Sequence, residues 1–338
     1  MKIKLIGHTP DQDLKVKRNN PWQAFIEELM ENGFEIVTGE VEKNYFDILI
    51  VNSHSPRSLK RAKELNVKKR NIFMIYWEPS VTNPKIHSEN VRNLYGNVYT
   101  PSREWQNKLN GYYFFWPQVK IEGELQTLNK WSKRKNKSIM ILANKFSASR
   151  GQNYTLRRNT DLIKDDSGNY LVDLFGEAWN KGRMYDLSHF FGKFIKTPKK
   201  SLDLFSWISL GKKQLNFLGQ APVKTKTASK YRINLVIENS GEYVSEKIFA
   251  AHVSQNIIVY VGANLKFEGI NNNLAIQCEP NVDEISSQIN YLINLPVENQ
   301  YKIMKKQWQI AKNESKRRSN KLVLRNLANS IVKKIEST

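Results

Sequence analysis

Apolar and polar positions along the chain switch between two periods. Residues 2–6 read as a strand, and from 21 to 32 Trp22, Phe25, Ile26 and Leu29 recur at helical spacing until Gly33 stops the run. Strand patterns return at 34–37, 46–51 and 71–77, with a short helix over 58–65. A further short strand at 98–100 is followed by Ser102, which is placed to cap a helix running from Arg103 to Leu109. Strands alternating with helices predict a parallel sheet wrapped by helices. A second alternating region has strand patterns at 138–143, 171–175, 231–237, 257–261 and 274–278. Between the two lies a stretch containing WSKRKNKS, with no apolar period and many like charges. The division this suggests is a first lobe over 1–120, a charged linker over 121–137, a second lobe over 138–300 and a basic helical segment over 301–338. In the last segment Leu324, Leu327, Ile331 and Ile335 form one apolar stripe. Packing of that stripe on its own protein is the favoured reading. Docking on an anionic membrane is the other, with Lys316, Arg317 and Arg318 as the lipid-facing cluster.

Charge sharpens the question of partners. The chain of 338 residues carries 53 Lys and Arg against 32 Asp and Glu, a formal net charge of +21. Such an excess attracts something anionic: nucleic acid, a phospholipid or lipopolysaccharide surface, or a nucleotide-sugar. The basic residues are spread along the chain and form no recognised nucleic-acid motif, so no nucleic-acid partner is expected. A basic nucleic-acid-binding protein remains the rival class. The aromatic run from Tyr112 to Trp116 reads as a buried strand and not as a base-stacking platform. Cys278 is the single cysteine, which excludes an intramolecular disulfide and fits a reducing cytosol. The start has too short an apolar run for a signal peptide, and no run approaches the ~20 apolar residues of a membrane span. The expected location is cytoplasmic, with peripheral contact at the inner membrane face as the second use of the basic helix.

The most informative stretch is 231–262, which reads as strand, polar loop, helix and strand. Its turn carries Glu238, Asn239, Ser240, Gly241 and Tyr243, and the helix opens with Ser245, Glu246 and Lys247. A helix start presents unpaired N–H groups and the positive end of the helix dipole, and favours an anion. A lysine there is repelled by the dipole unless a phosphate lies between them.

The residues Ile237-Glu238-Asn239-Ser240, then Glu242-Tyr243-Val244-Ser245-Glu246-Lys247, resemble the donor-site signature of the α-1,3/4-fucosyltransferases, F-x-E-N-S, a short loop, then D-Y-x-T-E-K. Here Ile237 replaces the aromatic, Ser245 replaces Thr, and the loop is shorter. Scattered blocks extend the likeness. Ala143-Asn144-Lys145 through Arg150-Gly151 and Arg157-Arg158 resembles the family block in which a strand ends and an arginine follows, with Arg150 matching that arginine. Val172-Asp173-Leu174-Phe175-Gly176 resembles V-D-x-F-G, and Tyr76-Trp77-Glu78-Pro79-Ser80 looks like the family's glutamate beside Ser-Pro, with those two exchanged.

The resemblance implies a GT-B protein of the soluble bacterial type: two Rossmann-like doubly wound α/β lobes facing a cleft. It implies an inverting, metal-independent transferase that moves fucose, or a related sugar, from a GDP-sugar to a hydroxyl of an oligosaccharide or glycolipid acceptor in polysaccharide or lipopolysaccharide synthesis. Lys247 and Arg150 would hold the diphosphate, and an arginine fork can hold two phosphate oxygens at once. Glu246 would accept hydrogen bonds from ribose hydroxyls. Glu238, Asn239 and Tyr243 would line the donor pocket. Glu78 is the candidate general base, its carboxyl raised by desolvation beside Trp77 and Pro79. No cofactor is implied. The five histidines show no metal-ligand spacing, and charge neutralisation would fall to Arg150 and Lys247. A catalytically inactive GT-B relative that only binds sugar is a third reading.

Overall fold

Two six-stranded sheets, parallel throughout, emerge from this alternation. The structure is a computed structural model and describes residues 1–6, 22–37, 43–77, 80, 84–144, 152–182, 188 and 213–337. The first sheet contains β1 (Lys2–Ile6), β2 (Glu35–Val37), β3 (Ile48–Val51), β4 (Ile72–Ile75), β5 (Asn97–Thr100) and β6 (Tyr112–Tyr113) in the order β2-β1-β3-β4-β5-β6. The second contains β7 (Lys135–Asn144), β8 (Val172–Glu177), β9 (Phe217–Gly219), β10 (Tyr231–Ile237), β11 (Ile257–Val261) and β12 (Ile276–Gln277). Its order, β9-β8-β7-β10-β11-β12, is that of a doubly wound dinucleotide-binding sheet, with the strand order reversing between β7 and β10.

Contacts divide the chain into two units. One contains residues Met1–Lys120, Glu242–Glu246 and Ser315–Thr338, and the other Ile121–Gly241 and Lys247–Glu314. In the first unit the sheet is buried on both faces, as parallel sheets require. Successive residues of β3 point to opposite sides: Ile48 and Ile50 join a core with Ile3, Leu5, Phe25 and Phe73, while Leu49 and Val51 join another with Ile6, Met74 and Val98. The first core is covered by helices Gln23–Glu31 and Asn320–Glu336. Leu324, Leu327, Ile331 and Ile335 are all buried in it, so the apolar stripe is occupied by the protein itself. Arg318 is also buried, its guanidinium 3.6 Å from the Phe115 ring centre, while Lys316 and Arg317 are exposed. Among the described residues no helix is long and apolar enough to cross a membrane.

Three expectations differ from the structure. Residues 121–137, read as a linker, carry helix Leu128–Ser132 and the start of β7. Their lysines 130, 133 and 135 face outward and hide the inward Trp131 and Arg134 from a reading of charge alone. Trp131 is fully buried and donates through Nε1 to the Gln255 carbonyl at 2.8 Å. Arg134 donates to the Ser254 and Gln255 carbonyls at 2.7 and 2.9 Å, and burial pushes its guanidinium down to about 10. Second, 301–338 is not one segment: helix Val297–Arg317 lies mostly in the second unit and helix Asn320–Glu336 in the first. Third, the Tyr112 to Trp116 run, expected as a buried strand, forms only the two-residue, half-buried strand Tyr112–Tyr113 at the end of its sheet, where a neighbour lies on one side alone.

The second unit contains a pH-sensitive group. His252, on helix Lys247–Val253, is fully buried with Nε2 3.0 Å from the Leu274 carbonyl, and burial pushes its imidazole down to about 3. The neutral ring suits the folded state, and the unfolded chain takes up a proton first as pH falls below about 6.5. Stability is therefore full above that pH and is lost toward pH 3, by about 1.4 kcal/mol per pH unit from this group. Denaturant melts between pH 7 and 4 should show this slope, and a His252→Gln variant should have a shallower one.

Candidate functional site

The carboxyl ends of β7 and β10 flank the point where the second sheet reverses its strand order, the position at which open α/β sheets bind ligands. Both strand ends place polar side chains there. Beyond β10 the Glu238 N–H still donates to the Val261 carbonyl at 2.8 Å, which carries the strand one residue further. The Glu238 side chain is fully buried and accepts from Lys247 Nζ at 2.8 Å. Lys247, the first residue of helix Lys247–Val253, has 32% of its side chain exposed. A buried carboxylate requires a counter-charge, so the pair fixes the ammonium in place while part of it faces solvent. Gly262 keeps this spot open, since a Cβ there would come 2.8 Å from Glu238 Cγ and run into the Tyr260 hydroxyl.

Helix Gln152–Arg157 follows β7 and brings a second cation to the same strand end. Arg157 Nη1 donates to Asn239 Oδ1 at 3.0 Å, and Asn153 Nδ2 donates to the Glu238 carbonyl at 3.2 Å. Arg157 and Asn153 are both buried. They are four residues apart on one helix, so they share a face. The sequence reading noted Arg157 in a matching block but gave it no role. The i, i+4 spacing just after a strand is the signal that picks it out.

The structure thus gathers Glu238, Asn239 and Lys247 with Asn153 and Arg157 in the second unit. Tyr243 and Glu246 belong to the first unit. Tyr243 is buried with its ring 5.1 Å from that of Trp116, and Glu246 is exposed. The segment carrying them is tied down by the Ser80 N–H, which donates to Glu242 Oε2 at 2.8 Å, and by the Ser80 hydroxyl on Glu242 Oε1. Glu78 and Arg150 lie outside the described residues. So do Asp11 and Asp13, a pair with Asp-x-Asp spacing. Among the described residues no group of three or more His, Cys, Asp or Glu side chains converges on one point.

In the first sheet the strand order reverses between β1 and β3. Asn52, just beyond β3, is 3% exposed, and neither atom of its amide has a hydrogen-bond partner. Nearby His54 Nδ1 is 3.0 Å from the Tyr95 hydroxyl, and burial lowers its affinity for a proton. A neutral ring accepting from the hydroxyl explains this histidine without a ligand.

No family model matches the chain, and no curated protein matches it. Solved structures do. The chain is similar to Anabaena HepE in complex with UDP-glucose, with 13% identity and a TM-score of 0.56 over 100% of both chains. It is similar to T4 phage BGT in complex with UDP and Mn2+, with 15% identity and a TM-score of 0.51 over 98% of this chain and 99% of that one. It is also similar to a glycosyltransferase from Rickettsia africae, with 14% identity and a TM-score of 0.52 over 100% and 99%. The fold is GT-B. At these identities the likeness is one of architecture, and it accounts for both parallel sheets and the closing helix Asn320–Glu336 of this GT-B chain.

Proposed function

We propose that the protein is a glycosyltransferase that moves a sugar from a nucleoside diphosphate sugar to a hydroxyl of a glycan. The observation that carries this reading is the partly exposed side chain of Lys247, its ammonium pinned by the buried Glu238 at the strand-order reversal of the second sheet. As the bond between the sugar and the diphosphate breaks, negative charge grows on the departing group, and a cation already fixed in place stabilises it without reorganising. Glu238, being fully buried, acts on the donor through Lys247. Asn239, oriented by Arg157, is the neighbouring polar group for donor binding.

The block from Ile237 to Lys247 favours a GDP-linked donor, fucose or a related sugar. UDP and UDP-glucose are named with solved structures of the same fold, and a uridine donor is the second reading. In the step itself Glu78 would take the acceptor hydroxyl proton. The freed oxygen pair would form the new bond to the anomeric carbon as the old bond's pair leaves on the diphosphate, with inversion. Arg150 would share the diphosphate with Lys247, and the transfer would need no metal. Tyr243 would line the donor pocket, and Glu246 would accept hydrogen bonds from the ribose hydroxyls. The acceptor would be an oligosaccharide or glycolipid of the cell surface.

Thermal melts with GDP-fucose, UDP-glucose and a CMP-sugar test the reading, with and without Mn2+. A ligand at 100 times its Kd stabilises by about 2.7 kcal/mol. GDP-fucose should raise the melting temperature most, without help from the metal. A shift confined to UDP-glucose would reassign the base, and Mn2+ dependence would remove the metal-free step. No shift with any donor would overturn the transferase itself.

A further inference from the structure

The first unit contains a cavity of about 920 Å3, and of its lining the donor reading uses only Glu246. Small-ligand sites span roughly 300–1,000 Å3, so its size alone fits a bound molecule. Three tryptophans, Trp22, Trp77 and Trp116, form its wall with Leu324. Trp77 stands between the other two, edge-on to each, with ring centres 4.9 and 5.0 Å away. Lys120, Lys316 and Lys321 also line the cavity, against a single acidic residue, Glu246.

Two buried polar atoms on this wall lack hydrogen-bond partners: Trp77 Nε1 and Gln118 Oε1. Gln118 is 3% exposed, and its Nε2 donates to the Trp116 carbonyl at 3.0 Å, so the amide orientation is set and the oxygen is left over. An unsatisfied buried donor and an unsatisfied buried acceptor each cost the fold stability. A purely apolar guest would leave both unsatisfied. A guest with hydroxyls supplies an acceptor to the indole N–H and a donor to the amide oxygen. The C–H face of a sugar ring also carries slight positive charge and suits the negative face of an indole. The three lysines add a demand that a neutral sugar does not meet.

We propose that this cavity binds an anionic saccharide, a sugar bearing a carboxylate or phosphate, and that such a saccharide is the acceptor. The identity of the guest rests on the cavity; its role as acceptor rests on the transferase reading above. The tryptophans take the ring, Trp77 Nε1 and Gln118 Oε1 take hydroxyls, and Lys316 and Lys321 take the charge.

The test is binding of the full chain to an array of uronate-, sialate- and phosphate-bearing oligosaccharides printed beside their neutral counterparts. Anionic saccharides should be retained at least ten-fold better than neutral ones. The double variant Lys316→Glu, Lys321→Glu, both at exposed positions, should lose that retention ten-fold, and Trp77→Phe should weaken it while keeping an aromatic ring. Equal retention of neutral saccharides, or anionic retention untouched by the charge reversal, overturns the proposal. So does retention of phosphatidylglycerol vesicles or duplex DNA with no saccharide bound. Nucleotide-sugar melts of the unaltered chain, set beside its saccharide binding, keep the two readings apart. A donor shift without saccharide binding sinks the cavity proposal alone, and saccharide binding without any donor shift sinks the transferase reading and the acceptor role with it, leaving the identity of the guest standing.

Discussion

Replacing Lys247 by alanine is expected to lower sugar transfer about 100-fold or more, the scale on which removal of one charge-stabilising donor acts. The same change removes the ammonium that pairs with the buried Glu238 carboxylate. Breaking a buried pair costs about 3–5 kcal/mol, and the lower end applies here because the lysine is partly in water. Loss of activity could therefore reflect loss of fold, and a second variant separates the two. Combining Glu238→Gln with Lys247→Met makes the pair neutral and of similar volume, so stability should return toward wild type while transfer stays low. Denaturant melts measure the first quantity and initial rates with saturating donor the second. Wild-type turnover in the folded double variant would remove Lys247 from the chemistry.

Trp131→Ala should be among the most damaging single substitutions for stability, at about 3–5 kcal/mol. Its ring is fully buried, lies 5.8 Å from that of Tyr301 and donates to the Gln255 carbonyl. Arg134, three residues on, converges on the same carbonyl. A substitution in a solvated linker would stay within about 0.5 kcal/mol. Urea titration followed by far-ultraviolet dichroism distinguishes these outcomes, and a linker-sized effect would mean that residues 121–137 are not the brace the structure makes them.

What the sequence discloses depends on whether the signal is local. The strand at 231–237 is legible to the residue because five of its seven residues are apolar and it ends on Leu235-Val236-Ile237 directly before polar turn residues. The helix Arg103–Leu109 is legible because its cap is a neighbour: Ser102 Oγ accepts from the Trp105 N–H at 3.2 Å. The brace at Trp131 and Arg134 is not legible, because two inward residues among outward lysines imitate a solvated run. The last expected strand shrinks to Ile276–Gln277 because Asn272–Leu274 is taken by a helical turn. At the candidate site, Glu238, Asn239 and Lys247 stand out because they lie within ten residues of each other. Arg157 joins them from 82 residues away, through a strand order that no local pattern encodes.

The helix Asn320–Glu336 completes the core that Ile3, Leu5 and Phe25 begin. During synthesis the opening 120 residues emerge first, yet the segments Glu242–Glu246 and Ser315–Thr338 that finish their unit are translated far later. Ribosomes deliver chain at about 5–20 residues per second, so the earliest-made sheet waits roughly ten seconds or longer with one apolar face uncovered. The second unit, closed by Glu314, can be complete before the first. Nascent chains stalled before Ser315 should accordingly engage chaperones through residues 1–120, the part of the first unit already made.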